Sequence, residues 1–262
     1  MFDALYISAT GMQAQQLNVD TIANNLANVN TNGFKKSKVG FADLMVAGAA
    51  RSPANLDAMG LLGGAPRVGA GVSISGLKKL FDMGDLKKTE SAYDIAIQGD
   101  GFLEVSMPDG SSAYTRGGTL RVNREGLLST SGGFPLKPNL SIPGNAQELT
   151  IESTGRVLAV VTGQSTPVEI GQLELVRFTN ASNLQPEGDN LYRTNSESGE
   201  PISGRAGEEG MGSLAQGFVE GSNVKLTEEM VSLMVAQRVY EANVKLIQAS
   251  DEMLGMINGL RR

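Results

Sequence analysis

The stretch that decides the fold is residues 1–33, MFDALYISATGMQAQQLNVDTIANNLANVNTNG. Its only charged side chains are Asp3 and Asp20. Its side chains follow a heptad pattern, which is typical of helices that pack along a seam. The first series is Leu5, Met12, Val19 and Leu26, and the second is Ser8, Gln15, Ile22 and Val29. A water-exposed helix normally carries charge on its outer face, so this composition predicts a helix covered by protein on several sides. The Asn32-Gly33 pair is a strong turn signal and ends it.

The C-terminal end carries a second heptad pattern. Its first series is Leu226, Leu233, Tyr240, Ile247 and Leu254, and its second is Met230, Gln237, Val244 and Asp251. Glu228 and Glu229 suit a first helical turn, with Asn223 or Thr227 as the N-cap. Seven charged residues along this segment allow one of its faces to meet water.

The two patterns together predict that the terminal helices pair as a coiled coil and that this pairing drives self-assembly. The side chains expected to pack in this assembly are Leu5, Met12, Val19, Ile22, Leu26, Val29, Leu226, Met230, Leu233, Tyr240, Val244, Ile247 and Leu254. The alternative is that two amphipathic helices pack on one globular core.

Between the ends, glycines recur about every eight residues and the helical period disappears. Residues 93–134 predict a β-meander with strands near 102–105, 112–115, 119–122 and 127–130. Further strands are predicted near 156–161, 168–170 and 173–178. Regular turns at this spacing indicate an all-β domain.

The sequence therefore predicts a mixed α and β fold, with paired terminal helices, a central all-β domain and an extended arm or hairpin. Residues 1–33 and 222–262 are expected to form the discontinuous coiled-coil domain. Residues 34–75 form the arm or hairpin, rich in Gly, Ala and Pro, with a flexible linker as the alternative. Residues 76–221 form the β-rich outer domain.

The composition excludes several kinds of chemistry. The chain has no Cys and no His, so it lacks thiolate nucleophiles and the commonest general base and metal ligand. We expect no catalytic, metal or cofactor site and no cofactor. The formal net charge of −6 disfavours nucleic acid as a partner, and the Lys35-Lys36 pair is interpreted as a solvated turn. No apolar run is long enough for a membrane span, and no secretory signal peptide is expected.

Two rival functions remain at this point. A carbohydrate-active β domain would need paired carboxylates in an aromatic cleft, and the chain has no Trp and only five Tyr. A different extracellular filament or adhesin subunit would share the assembly helices.

Two segments at opposite ends resemble a known family. The run ANNLANVNTNGFK at residues 23–35 resembles the N-terminal signature of the bacterial flagellar rod and hook proteins. Residues 220–243 resemble the matching C-terminal signature. The N-terminal signature positions are Asn24, Asn25, Leu26, Ala27, Asn28, Thr31, Gly33 and Phe34. Length and residues 94–116 favour a distal rod subunit, with a proximal rod subunit as the alternative.

The resemblance implies a structural subunit that forms a helical homopolymer, a rigid tubular drive shaft that carries torque from motor to hook around an export channel. The implied partners are other copies of the chain, proximal rod proteins, the hook protein, the surrounding P- and L-ring proteins and the flagellar type III export apparatus. The implied location is the basal-body rod, which crosses the periplasm to the outer membrane, after export without a cleaved signal.

Overall fold

The computed structural model describes residues 2–47, 67–163, 166–208 and 210–260. They divide into two units, and each unit is assembled from segments that are distant in sequence. The first unit holds the described residues of 1–26, 37–78 and 226–262. The second unit holds residues 27–36 and the described residues of 79–225.

The first unit contains both long helices and one sheet. Helix α1 spans Phe2–Ala27 and helix α2 spans Leu226–Leu260, while strands β1 (Ser37–Ala47) and β2 (Arg67–Lys79) form a two-stranded sheet. Both helices lie where the heptad patterns predicted them. Neither described helix has the length and apolar content that a membrane span requires. The arm predicted over residues 34–75 falls partly on residues 48–66, which lie outside the described residues.

Most of the less exposed positions of α2 lie three, four or seven residues apart, as a helix with one covered face requires. They are Glu229, Leu233, Ala236, Asn243, Val244, Ile247, Ser250 and Leu254. The first predicted heptad series contributes Leu233, Ile247 and Leu254 to this face. The second predicted heptad series is displaced by one residue. The covered positions are Glu229, Ala236, Asn243 and Ser250, each directly before a predicted one, and of the predicted series only Val244 is also covered. Met230 is therefore exposed while Glu229 is buried.

The second unit is built almost entirely of strands. A short 3-10 helix, Ala181–Asn183, precedes β13. The strands are β3 (Leu86–Lys88), β4 (Asp94–Gln98), β5 (Phe102–Ser106), β6 (Ser112–Thr115), β7 (Gly117–Val122), β8 (Leu128–Thr130), β9 (Ala146–Ile151), β10 (Arg156–Val161), β11 (Val168–Gln172), β12 (Glu174–Arg177), β13 (Gln185–Gly188), β14 (Leu191–Arg193), β15 (Ile202–Arg205), β16 (Ser213–Gln216) and β17 (Phe218–Glu220). The predicted strands are therefore confirmed in position.

Within the described residues of this unit the strands form four sheets. The largest has the order β13-β14-β6-β5-β12-β15, and the next has the order β16-β4-β7-β8. The two smaller sheets are β11-β10-β9 and β17-β3. The neighbours in these sheets pair antiparallel wherever their register is defined.

The prediction of a simple meander over residues 93–134 is wrong, because the chain changes sheets in the middle of it. Strand β6 ends at Thr115 in the six-stranded sheet, and β7 begins at Gly117 in the four-stranded sheet. Gly117 has a φ of 101°, and a Cβ there would lie 2.7 Å from the carbonyl oxygen of Ile95. Only glycine fits that position, so the glycine signals a crossing between sheets and not a hairpin turn.

Two apolar clusters form the core of this unit. The larger cluster joins several sheets and includes the fully buried Leu103, Leu128 and Leu175. The smaller cluster is aromatic and surrounds Phe102 with Tyr114, Phe178 and Tyr192. The rings meet edge to face, for example at 4.8 Å between the centroids of Tyr114 and Phe178, which is the favoured geometry for aromatic pairs.

The substitution Leu103→Ala tests this core. Leu103 is fully buried and lies opposite Leu175, so truncation leaves a cavity that the surrounding strands cannot fill. We expect the free energy of unfolding of the β-rich unit to fall by about 2–5 kcal/mol in urea denaturation. Val168→Ala, at an exposed strand position, serves as the control and should cost less than about 1 kcal/mol. Equal losses in the two variants would contradict the assigned core.

Candidate functional site

Asn25, from the N-terminal signature, ties three elements of the first unit together. It is buried in the last turn of α1. Its Nδ2 donates to the carbonyl oxygen of Ser37 at 2.9 Å, and its Oδ1 accepts from the Ser37 N–H at 2.9 Å. The same Nδ2 donates to Glu229 Oε2 at 3.3 Å. One amide therefore joins α1, β1 and the start of α2, which requires a donor and an acceptor on a short side chain.

The end of the N-terminal signature lies in the second unit. The N–H of Gly33 donates to the carbonyl oxygen of Glu220 at 2.7 Å, so the two signature segments are bonded to each other. Asn190 Nδ2 donates to the carbonyl oxygen of Asn32 at 2.8 Å. Asp189 and Asn190, with φ of 49° and 57°, are the two central residues of the turn between β13 and β14. Asp and Asn tolerate this left-handed conformation, so the turn can hold the signature loop from the side.

A buried cluster of three charged side chains forms the centre of the site. Lys35 Nζ lies 2.7 Å from Glu220 Oε1, and Arg116 Nε lies 3.3 Å from Glu220 Oε2. The side chains of Lys35, Arg116 and Glu220 are 0%, 3% and 2% exposed. Charged side chains are seldom buried this far unless they are paired, so the cluster fixes three distant parts of the chain at one point.

Backbone groups supply further hydrogen bonds to this charge cluster. Glu220 Oε1 also accepts from the Gly84 N–H at 2.9 Å, and Lys35 Nζ also donates to the carbonyl oxygen of Asp82 at 2.7 Å. Arg116 Nη1 donates to the carbonyl oxygens of Gly99 and Gly101 at 2.8 and 3.0 Å. Such partners offset part of the cost of removing charges from water.

Two opposing effects act on the pKa of Lys35 in this cluster. Burial lowers the pKa of the Lys35 ammonium, while the adjacent Glu220 carboxylate acts to raise it. The nearby Arg116 guanidinium adds a further lowering effect. Two buried cations thus share one buried carboxylate, which makes Glu220 the member whose charge the other two require.

Asn223 reinforces the junction and is not an N-cap of α2. Its Oδ1 accepts from the Lys36 N–H at 2.7 Å, and its Nδ2 donates to the carbonyl oxygen of Leu80 at 2.8 Å. The prediction of Asn223 or Thr227 as the N-cap is therefore wrong, because the side chain of Asn223 bonds these backbone groups and Thr227 lies inside α2, which begins at Leu226. Lys79 Nζ donates to the carbonyl oxygen of Lys35 and lies 4.4 Å from the centroid of the Phe34 ring.

The predicted assembly residues differ in exposure within the single chain. Ile22 is buried, and Leu226, Met230 and Tyr240 are exposed. The half-buried ones are Leu5, Met12, Val19, Leu26, Val29, Leu233, Val244, Ile247 and Leu254. Of the signature residues, Asn25, Gly33 and Phe34 are buried, Leu26 and Asn28 are half-buried, and Asn24, Ala27 and Thr31 are exposed. Their packing between copies stays a prediction.

Two members of the charge cluster escaped the sequence analysis. The interpretation of Lys35 as part of a solvated turn is wrong, because this side chain is fully buried. Arg116 was not singled out at all. A usable signal was Glu220 itself, since a carboxylate directly after the apolar pair Phe218-Val219 suggests a buried partner. Among the described residues, no group of three or more acidic side chains is arranged to hold a metal ion.

Comparison with known proteins gives three family models that match this chain. A model for flagella basal body rod proteins matches residues 5–35, and one for the flagellar basal body rod FlgEFG protein C-terminal region matches residues 215–260. A model for the flagellar hook protein FlgE/F/G D1 domain matches residues 96–159.

Whole proteins match as well. The flagellar basal-body rod protein FlgG of Borreliella burgdorferi is 44% identical over 266 residues, covering 100% of both chains. The chain belongs to the flagellar basal-body rod protein family. FlgG of Buchnera aphidicola subsp. Schizaphis graminum is 43% identical, covering 99% of this chain and 100% of its own. FlgF of Caulobacter vibrioides, also named a flagellar basal-body rod protein, is 32% identical, covering 98% and 100%.

Each member of the charge cluster comes from a different family segment. Lys35 lies in the rod segment at residues 5–35, Arg116 in the D1 segment at 96–159 and Glu220 in the C-terminal segment at 215–260. The cluster is therefore the point where the three parts that define this rod protein meet.

The substitution Asn25→Asp tests the amide in the first unit. An aspartate can still accept from the Ser37 N–H, but it cannot donate to the Ser37 carbonyl, and its charge faces Glu229. We expect the local opening free energy of α1 and β1 to fall by about 1–3 kcal/mol, measured by native-state hydrogen exchange. Asn30→Asp, at an exposed position nearby, should change it by less than about 0.5 kcal/mol. Unchanged protection in Asn25→Asp would refute the role assigned to this amide.

The substitution Glu220→Gln tests the charge cluster. It leaves two buried cations without an anion, so we expect the free energy of unfolding to fall by about 3–5 kcal/mol in urea denaturation. Glu104→Gln removes the partner of the half-exposed Lys137 ion pair and should cost about 1 kcal/mol or less. In a double-mutant cycle, Lys35→Met with Glu220→Gln should cost less than the sum of the two single changes. Additive losses would contradict the coupling.

Proposed function

We propose that this chain is a structural subunit of the distal segment of the flagellar rod, with no enzymatic activity of its own. It polymerises into a rigid tube that passes torque to the hook and surrounds an export channel. Similarity to the relatives named FlgG supports the distal assignment. These relatives match at 36–44% identity, while the relative named FlgF matches at 32%.

The observation that carries this proposal is the apolar surface of α2. Large apolar side chains are exposed along most of its length, at 40–62% of their full accessibility. They are Leu226, Met230, Val231, Met234, Val235, Val239, Tyr240, Leu246, Met253, Met256 and Ile257. Exposed apolar side chains in this number on one helix indicate an interaction site, because their contact with water is unfavourable in a monomer.

The covered face and the exposed face of α2 would make different contacts in a polymer. We propose that the covered face of α2, with Leu233 and Ile247, pairs with α1 as a coiled coil. A close approach supports this pairing, because a Cβ built on Gly11 would lie 3.2 Å from Asn243 Nδ2. The exposed face, with Val235 and Leu246, then packs against neighbouring copies. Repeated contacts of this heterologous kind extend into a helical tube.

Stiffness is the second requirement of a drive shaft. Packed side chains resist sliding because protein interiors are as dense as organic crystals. Each apolar side chain that a neighbouring copy buries contributes about 1.5–3 kcal/mol, and the contribution repeats at every copy. The buried cluster of Lys35, Arg116 and Glu220 adds a joint inside each subunit that resists opening under load.

The remaining proposals follow from family membership. We expect contacts with proximal rod proteins, the hook protein and the P- and L-ring proteins. Delivery to the growing tip uses the flagellar type III export apparatus. The rod crosses the periplasm to the outer membrane. Nucleic acid is not among the proposed partners.

The substitution Leu233→Asp tests the proposed pairing of α2 with α1, on which assembly depends. It places a charge in the packed seam, so rods should fail to form when the variant replaces the native chain. We expect electron microscopy of purified basal bodies to show no complete distal rod, and cells not to swim. The β-rich unit should keep its urea unfolding transition, since Leu233 lies in the other unit. Gln147→Asp, at an exposed position of β9, should support normal rods. Normal rods with Leu233→Asp would exclude the proposed coiled-coil pairing of α1 and α2.

A further inference from the structure

A cavity in the second unit lies beside the charge cluster. Its volume is about 420 Å³. Three aromatic rings, Phe81, Phe102 and Phe178, line it together with the charged side chains Arg116, Arg177 and Asp100. No contact among the described residues explains why a single chain would keep this cavity.

The aromatic walls hold the cavity in shape. The ring centroids of Phe81 and Phe102 are 5.1 Å apart, and those of Phe102 and Phe178 are 5.6 Å apart, both edge to face. Phe102 and Phe178 belong to the buried aromatic cluster. Packed rings of this kind lose little freedom when a guest enters, so the cavity is formed in advance.

Arg116 gives the cavity a positive wall. Its Nε and Nη1 are bonded to Glu220 and to two carbonyl oxygens, but its Nη2 is buried and has no hydrogen-bond partner among the described residues. Lys35 draws on the same Glu220 carboxylate, so the buried charges of the cluster sum to one excess positive charge. Coulomb attraction acts through a low-dielectric wall without contact, and it favours an anionic guest.

Arg177 supplies a second cation that a guest can reach. It is exposed on β12, and no carboxylate in the described part of the chain forms an ion pair with it. Asp100 is the one carboxylate among the described lining residues. It is exposed and therefore screened by water, so it offsets the charge of the two guanidiniums only in part. A guanidinium binds a carboxylate through two parallel hydrogen bonds, which suits an acidic side chain as the guest.

We propose that this cavity binds an acidic side chain of a second copy of the chain, which forms an ion pair with Arg177 beside the aromatic rings. The proposal rests on the proposed function, because a rod brings copies of the chain together. Charge complementarity supports this occupant. The chain has 28 acidic residues against 22 basic ones, and its exposed turns carry acids such as Glu197 and Glu200. The cavity thus forms a charged contact between neighbouring copies, in addition to the apolar contacts along α2.

Addition of purified chain to basal bodies from a strain that lacks it tests this proposal. For Arg177→Gln we expect the half-saturating concentration for rod extension to rise about three- to tenfold, as for loss of one interfacial charge pair. Arg177→Lys should recover part of the loss, and Arg121→Gln, at an exposed position on β7, should behave as the native chain. Extension by Arg177→Gln at the native concentration would overturn the inference and leave the proposed function standing. A complete distal rod in the strain that lacks the chain would instead overturn the proposed function.

The carboxylate in the cavity can come from a second copy of the chain or from a free small molecule. A titration of the monomer distinguishes these two sources. Benzoate is the probe, benzyl alcohol is the neutral control, and the readout is the amide NMR shifts of Gly101 and Phe102. Saturable shifts with benzoate, absent with benzyl alcohol and lost in Arg177→Gln, support a carboxylate site. If these shifts occur but rod extension is insensitive to Arg177→Gln, the site takes free carboxylates and the second copy is excluded as its occupant. No shift with benzoate overturns the carboxylate site.

Discussion

The carboxylate of Glu220 is the group on which the rest of the second unit depends. It accepts hydrogen bonds from Lys35, Arg116 and the backbone of Gly84, and all of these donors are shielded from water. Space for the cluster is equally constrained, because a Cβ at Gly84 would collide with the carbonyl oxygen of Gly221. A buried ion cluster gains little stability over an apolar core of the same volume, but it tolerates no missing partner. The cluster therefore contributes specificity, because it determines that the segments around Lys35, Arg116 and Glu220 pack together.

Asn25 has the same function in the first unit, with neutral groups instead of charges. It joins α1 to β1 and α2 through one buried amide. Buried polar contacts thus fix which segments meet in each unit, while α2 exposes many large apolar side chains. This separation suits a polymer. Specific polar contacts fix the shape of each copy, and non-directional apolar contacts join the copies with a free energy that grows with buried area.

Much of the fold could be predicted from the sequence because its signals are local. Heptad spacing located both helices, and glycine spacing located strands such as β5, β6 and β10. The pairing of strands could not be predicted, since it depends on contacts between residues far apart in sequence. The crossing at Gly117 changes sheets, yet in the sequence it resembles any other glycine turn.

The candidate site was predictable only in outline. The signature around Asn25 and Gly33 indicated the family, and the family model that matches residues 5–35 confirms that membership. The charge cluster was missed because its members are separated by 81 residues (35 to 116) and 104 residues (116 to 220). A lysine beside a second lysine, as Lys35 is beside Lys36, is indistinguishable from a surface pair until its partner is known.

The central claim is that neighbouring copies cover the exposed face of α2. Because the chain has no cysteine, a single Val235→Cys variant can be labelled with maleimide at one known position. The account predicts rapid labelling of the monomer and at least about tenfold slower labelling in purified basal bodies, since a packed interface excludes the reagent. Gln147→Cys on the β-rich unit should show a smaller difference between the two states. Equal labelling of Val235→Cys in monomer and rod would contradict the account.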